Sequence, residues 1–343
     1  MRSFALAILA AAPVLAQDIT TYRPSRELNW STQRFNPSAD AKFVICDKGV
    51  LQTADWSLAG EIAMLKDLQF STHPDHLIAI THSDGLWIYS SKTYRSAHPS
   101  GIAGAWVSGD ISPDGRHVIA RAAQKNGLAV VTDWDQPERK QELRACDTLS
   151  LAAFTKKDAF VTVSRTGQVA LWTLRKPEPT KQIELPKGGG EARLSPDRRA
   201  VYVLAADGLH RVSTGDLTDT VVAPEGYGTA SQIEVSPKGK YVAVWSESSS
   251  VSIFESDGLK PAGVIGGKAL TARCVTFTPD ERMLILGHAK VPELHFFKSP
   301  AWDPLDVTAL PGSALRVVVA PDQKWMVVNT TIRPFVLSAP KKR

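Results

Sequence analysis

Gly109-Asp110-Ile111-Ser112-Pro113-Asp114-Gly115-Arg116-His117-Val118-Ile119-Ala120 is the stretch that decides the fold. A Ser-Pro-Asp-Gly turn separates two short β-prone runs. Proline presets φ at about −65° in the second turn position, and Asp and Gly tolerate the turn backbone after it. Lys125-Asn126-Gly127 reads as a second hairpin, Leu128 to Thr132 as a third strand, and the polar segment Pro137 to Leu143 as an outer fourth. The turn returns as Ser195-Pro196-Asp197, Ser236-Pro237-Lys238-Gly239, Thr278-Pro279-Asp280 and Ala320-Pro321-Asp322. Worn copies are Asn36-Pro37-Ser38, His73-Pro74-Asp75 and Thr155-Lys156-Lys157-Asp158. Counted at residues 37, 74, 113, 156, 196, 237, 279 and 321, the spacings are 37, 39, 43, 40, 41, 42 and 42. A period near forty residues built from short strands is the sequence form of a β-propeller.

Eight anchors predict eight blades, with seven as the alternative if the degenerate first segment, Asn36-Pro37 and Lys42 to Ile45, is a decoration. The other second hairpins are Asp47-Lys48-Gly49, Ser83-Asp84-Gly85, Arg165-Thr166-Gly167 and Ala206-Asp207-Gly208. Third strands such as Leu86-Trp87-Ile88-Tyr89 and Leu294-His295-Phe296-Phe297 are bulky and apolar, as strands sandwiched between blades should be. Helical periodicity is absent, so the fold class is all-β. The last repeat, 317 to 338, supplies only three strands. The β-prone segment Ile19 to Tyr22 is expected to add the outer fourth and close the ring from the N-terminus.

The repeats resemble WD40-type propellers along nearly all of the chain after residue 16. The resemblance rests on Phe277-Thr278-Pro279-Asp280 and Val235-Ser236-Pro237-Lys238, the apolar strand after each, the Asp-Gly hairpins and the Trp-bearing third strand Leu171-Trp172-Thr173. Departures are clear. Trp134-Asp135 comes late for the Trp-Asp pair, and Gly287-His288 is not at the usual point of the Gly-His pair. The chain also looks like secreted bacterial propellers with degenerate repeats. Membership of such a family implies binding rather than chemistry.

Residues 1–16 read as a secretory signal: Arg2, an apolar stretch from Phe4 to Ala12, and Val14-Leu15-Ala16 before the cleavage point. Residues 17–343 then form one propeller domain, periplasmic or secreted. No later segment is apolar enough to span a bilayer. The balance of 40 Lys+Arg against 35 Asp+Glu, or +5, is mild and scattered, which argues against a nucleic-acid partner. Cys46, Cys146 and Cys274 fall in distant repeats. A disulfide needs Cα atoms within about 7 Å, so three separate thiols are expected.

Nucleophile-elbow, Walker, His-Glu-x-x-His and Cys-x-x-Cys motifs are all missing. No cofactor is expected, and no metal site: His73, His76 and His82 read as solvated turn and strand-end residues. Gly188-Gly189-Gly190 reads as a blade connection, since no helix comes after it to favour an anion. Strand alternation places Asp67, Asp110, Glu191, Arg193, Glu234 and Arg316 towards the central channel. Ion pairing between blades, Arg193 with Glu234 for instance, is weighed there against a polar funnel for a small ligand. Trp106, Tyr227, Trp30 and Trp302 are candidate interface aromatics, with gap-filling between blades as the other reading. The functional expectation is a non-catalytic scaffold or accessory subunit binding protein partners in the cell envelope. The rival is a ligand- or metal-binding propeller with an enzymatic role, a hydrolase or an oxidoreductase subunit.

Overall fold

The computed structural model describes residues 22–28, 35–46, 49–61, 65–70, 76–81, 85–90, 102–122, 128–133, 136, 140–144, 148–186, 188–223, 230–247, 249–267 and 270–339, with backbone alone for 61, 65–70, 76–81 and 128. Every regular element among them is a β-strand, joined antiparallel in chain order within each repeat. Blades are named here by their repeats. The first, third, fourth, fifth, sixth and seventh repeats each give a four-stranded sheet, and the closing repeat makes a seventh with a strand borrowed from the N-terminus.

Among the described residues there are therefore seven four-stranded blades, not the eight expected. The shortfall is not where the sequence placed it. The first segment is a complete blade, Phe35–Pro37 to Leu58–Glu61, whereas the described residues of the second repeat form a three-stranded sheet of Leu65–Phe70, His76–Thr81 and Leu86–Ser90. Ile102 makes an isolated bridge to the edge residue Leu86, with reciprocal backbone hydrogen bonds of 2.8 and 3.0 Å. The Trp106 indole fixes that bridge by donating to the Ile102 carbonyl at 2.7 Å.

Closure from the N-terminus occurs, but through the segment immediately after the expected Ile19 to Tyr22. Arg23–Glu27 pairs antiparallel with Phe335–Ser338, and Tyr22 is buried at its start. The Tyr22 hydroxyl donates to the Gln323 carbonyl at 2.8 Å, and its ring stacks on Phe296 of the seventh blade. Burial pushes its phenol above the usual range. The inner strand of the closing blade, Ala314–Val319, lies against those of the seventh and first blades and completes the ring.

Neighbouring blades share their apolar faces. Tyr202, Leu204 and Leu209 of the fifth blade interleave with Ile233, Val242, Val244 and Phe254 of the sixth, all under 5% exposed. Each such side chain contributes about 1.5–3 kcal/mol on burial. Cys46 and Cys274 are buried thiols without a disulfide partner; Cys146 lies outside the described residues.

The recurring turn is a hydrogen-bonded unit. Ser112 Oγ donates to Asp114 Oδ1 (2.6 Å) and accepts from His117 N (2.9 Å). Ser195 with Asp197, and Thr278 with Asp280, repeat this at 2.6 and 2.7 Å. The first copy is Ser38-Ala39-Asp40, two residues beyond the Asn36-Pro37 anchor: Ser38 Oγ donates to Asp40 Oδ1 (2.6 Å) and accepts from Phe43 N (3.0 Å). That hydroxyl holds the Asp40 carboxyl below the usual range. The fourth turn residue has positive φ in six copies: Ala41 58°, Gly115 72°, Arg198 62°, Gly239 75°, Glu281 64° and Gln323 57°.

Candidate interaction face and channel

Antiparallel blades sort the loops onto two faces. The Ser/Thr-Pro-Asp turns lie on one; the second hairpins and the blade-to-blade connections lie on the other. The inner strands run between these faces.

Asp110 sits near the turn face at the end of the third blade's inner strand, Trp106–Ile111. Its carboxylate accepts from Phe154 N of the fourth blade (2.9 Å) and takes both arms of Arg198 from the fifth-blade turn (2.8 and 3.1 Å). Arg198 also donates to the Phe154 carbonyl. One carboxylate and one guanidinium, 16% and 12% exposed, thus tie three blades together. This is a structural clasp, and two parallel charge-assisted bonds make it a strong one.

Glu191 and Arg193 pair with each other on the fifth blade, not across to Glu234. Glu191 also accepts from Ile233 N of the sixth blade at 3.3 Å, repeating the Asp110–Phe154 device one pair of blades further on. Glu234 has no hydrogen bond or ion pair among the described residues. It lies deep between strands yet keeps partial exposure to the channel. Burial raises its pKa to about 7 against the opposing pull of Arg193 and Arg316. Arg316 reaches the first blade, 3.5 Å from Asn36 Oδ1. Cys274 is buried beside this group, and burial pushes its thiol up to about 12. Asp67 lies in the inner strand Leu65–Phe70, but its side chain is outside the described residues.

Two of the candidate aromatics are core. Trp106 is 5% exposed and packs with Leu86, Ile88 and Ile102. Trp302 is 5% exposed, donates to the Ala262 carbonyl at 3.0 Å, and meets Tyr241 edge to face at 5.0 Å. Both fill gaps between strands and offer no face to solvent. Tyr227 and Trp30 lie outside the described residues, as do His73, His82 and the side chain of His76. Among the described residues, no three His, Cys, Asp or Glu side chains group to hold a metal ion. Gly189 N and Gly190 N are committed to the carbonyls of Arg165 and Leu204, so the glycine run is a blade connection.

The connection-side face carries features that sequence reasoning missed. Val291, Leu315 and Ile332 are 37%, 38% and 60% exposed. They belong to joined elements: Leu310 N donates to the Pro292 carbonyl (2.7 Å), and the Ile332 side chain packs on Gly312. Leu315 stands out because the inner strand slips register between Ala314 and Arg316, which turns both Leu315 and Arg316 towards solvent. Further round the same face, Arg165, Gly188–Gly190, Glu191, Ala205, Ala206, Ala230 and Ser231 line a cleft of about 430 Å³.

No family model matches the chain. Telomerase protein component 1 of Rattus norvegicus is 27% identical over 217 residues, 59% of this chain and only 8% of that protein. Among solved structures, the C-terminal WD40 domain of Sif2 superimposes with a TM-score of 0.72 at 12% identity, covering 94% of this chain and all of that one. The β-propeller domain of Cps50 (Swd1) from Myceliophteria thermophila gives 0.57 at 13% identity, covering 82% and 98%. These likenesses establish the fold as a WD40-like propeller and nothing finer.

Proposed function

We propose that this propeller is a non-catalytic, exported scaffold that docks a protein partner in the cell envelope on its connection-side face. The observation that carries the reading is the exposed apolar group Val291, Leu315 and Ile332, held on a rigid part of the ring. Loops fixed by packed strands suit docking because little order is lost on binding. The reading of residues 1–16 as a secretory signal supports a periplasmic or secreted setting.

Ile332→Asp places a charge on the most exposed member of that group without touching the core. Capture of the tagged protein from its own host should recover a stoichiometric companion with the parent and lose it with Ile332→Asp, at unchanged thermal unfolding. Equal recovery by both would remove the docking reading. Export is checked by fractionating cells that express the chain with and without residues 1–16; equal distribution would remove the envelope setting.

A further inference from the structure

We propose that the cleft between the fourth, fifth and sixth blades binds acidic side chains, Asp or Glu, of a peptide segment of the partner. The proposal deepens the scaffold reading and rests on it for the existence of that partner.

The geometry begins with two adjacent carbonyls. Arg165 N donates to the Thr148 carbonyl at 2.8 Å, and the Arg121 guanidinium, from the third blade, donates to the Leu149 carbonyl next to it. Two arginines of neighbouring blades are thus pinned to consecutive residues. The Arg165 carbonyl in turn accepts from Gly189 N at 2.9 Å, which leads through Gly190 to Glu191 and its partner Arg193. Arg165 and Glu191 line the cleft itself, and the charges of Arg165 and of Arg193 both act on Arg121; three guanidiniums are thus set against the carboxyls of Glu191 and Glu234, an excess of positive charge.

Their partners are unequal. Arg193 is neutralised by Glu191. Arg121 holds only neutral acceptors, Ser108 Oγ at 2.9 Å and the Leu149 carbonyl. Burial, and then the charges of Arg165 and Arg193, lower its pKa. Arg165 is exposed, and among the described residues its side chain has no hydrogen-bond or ion-pair partner. The remaining lining is glycine, alanine, leucine and serine, which leaves room for an extended segment beside the arginines. A planar guanidinium with unused donors matches a carboxylate with two parallel bonds. Charge complementarity of this kind selects an acidic segment and speeds its encounter.

The test is a titration of the purified chain with a fluorescent Glu-Ser repeat peptide and its Gln-Ser counterpart, at low and at high salt. The Glu peptide should bind with an affinity that falls as salt rises, and the Gln peptide should not bind. Arg165→Ala should weaken binding about tenfold. Glu191→Gln keeps an acceptor for Ile233 N and removes the competing charge, so it should tighten binding severalfold. Lys181→Ala, an exposed cation on the outer strand of the fourth blade, is the control and should change nothing. Equal binding of both peptides, or an unchanged affinity in Arg165→Ala, overturns the proposal. Full displacement by millimolar inorganic phosphate also overturns it, making the cleft a small-anion site. If Ile332→Asp abolishes partner capture while the Glu peptide fails to bind, the scaffold stands and the acidic cleft falls.

Discussion

The turns of the fifth and sixth blades begin alike, Ser195-Pro196 and Ser236-Pro237, and are held in opposite ways. In the fifth, the third residue is Asp197, whose Oδ1 takes the Ser195 hydroxyl at 2.6 Å and Arg199 N at 3.0 Å. The turn is satisfied within itself, and its fourth residue, Arg198, is spent elsewhere, on Asp110 two blades away. In the sixth, the third residue is Lys238 and no carboxylate is local. Glu281, the fourth residue of the seventh-blade turn, supplies it: Oε1 accepts from Ser236 Oγ (2.5 Å), Lys238 N (2.8 Å) and Lys240 N (3.3 Å). A worn repeat is thus completed by its neighbour. Gln323 extends the pattern, its amide donating to the Asp280 carboxylate at 3.2 and 3.3 Å. Where the left-handed fourth position carries a long side chain, it sews its blade to the one before; glycine at 115 and 239 sews nothing.

The largest effect should come from breaking the clasp of the self-sufficient turn. Asp110→Ala leaves the Arg198 guanidinium buried against a carbonyl, and it should cost about 3 kcal/mol in denaturant unfolding. Arg198→Gly suits the 62° φ and removes the strap instead. The double variant should lose less than the sum of the two, because both singles break one interaction. A neutral Arg198→Gly would mean that the fifth turn is as local as the third, where Gly115 stands in its place.

A smaller loss, about 2 kcal/mol, is expected for Glu281→Asn, since asparagine tolerates the 64° φ but is too short to reach three donors. The informative variant is Lys238→Asp, which returns the carboxylate to the sixth turn. In that background Glu281→Asn should cost under about 0.5 kcal/mol, because the neighbour is no longer needed. An undiminished cost in the double variant would show that Glu281 acts through its own blade and would end the comparison.

Repeat period and turn chemistry are carried by residues close in sequence, so the all-β propeller and the N-terminal closure are legible without coordinates. What is not legible depends on register or reach. Pro37 marks the first turn only approximately: hydroxyl and carboxylate at Ser38 and Asp40 make it, and a proline-based count hides that. Alternation from the turns fails at the far end of five inner strands, where one residue is inserted: Lys66, Val107, Ser150, Arg273 and Leu315. One slip reverses every facing beyond it, which is why the exposure of Leu315 cannot be read from alternation. From the sequence Trp106 reads as either an interface aromatic or a gap filler; Gly104, which lies against its ring, is what leaves room for it in the core. Arg198 carries a usable signal, a long cation where the turn prefers glycine.

The last contrast sets Glu281 against Glu234, a carboxylate on the inner strand of the sixth blade. Glu281 is 7% exposed and fully engaged by donors. Glu234 has two arginines within its field and none within bonding reach, and its pKa is raised from 4.5 to about 7. A carboxyl whose folded pKa lies above its unfolded value favours folding fully below the unfolded value, and that contribution is lost as pH rises through the folded one. The window is therefore between about pH 4.5 and pH 7. The full shift overstates the effect because water enters the channel, so about 1 kcal/mol is expected. Glu234→Gln should unfold at higher temperature than the parent near pH 8, and the two should converge near pH 4.5 and below. A difference that persists at acid pH would assign the gain to packing instead. The reverse sign near pH 8 would mean that Arg193 and Arg316 outweigh the cost of burial, making the channel carboxylate a stabilising ion like Glu281.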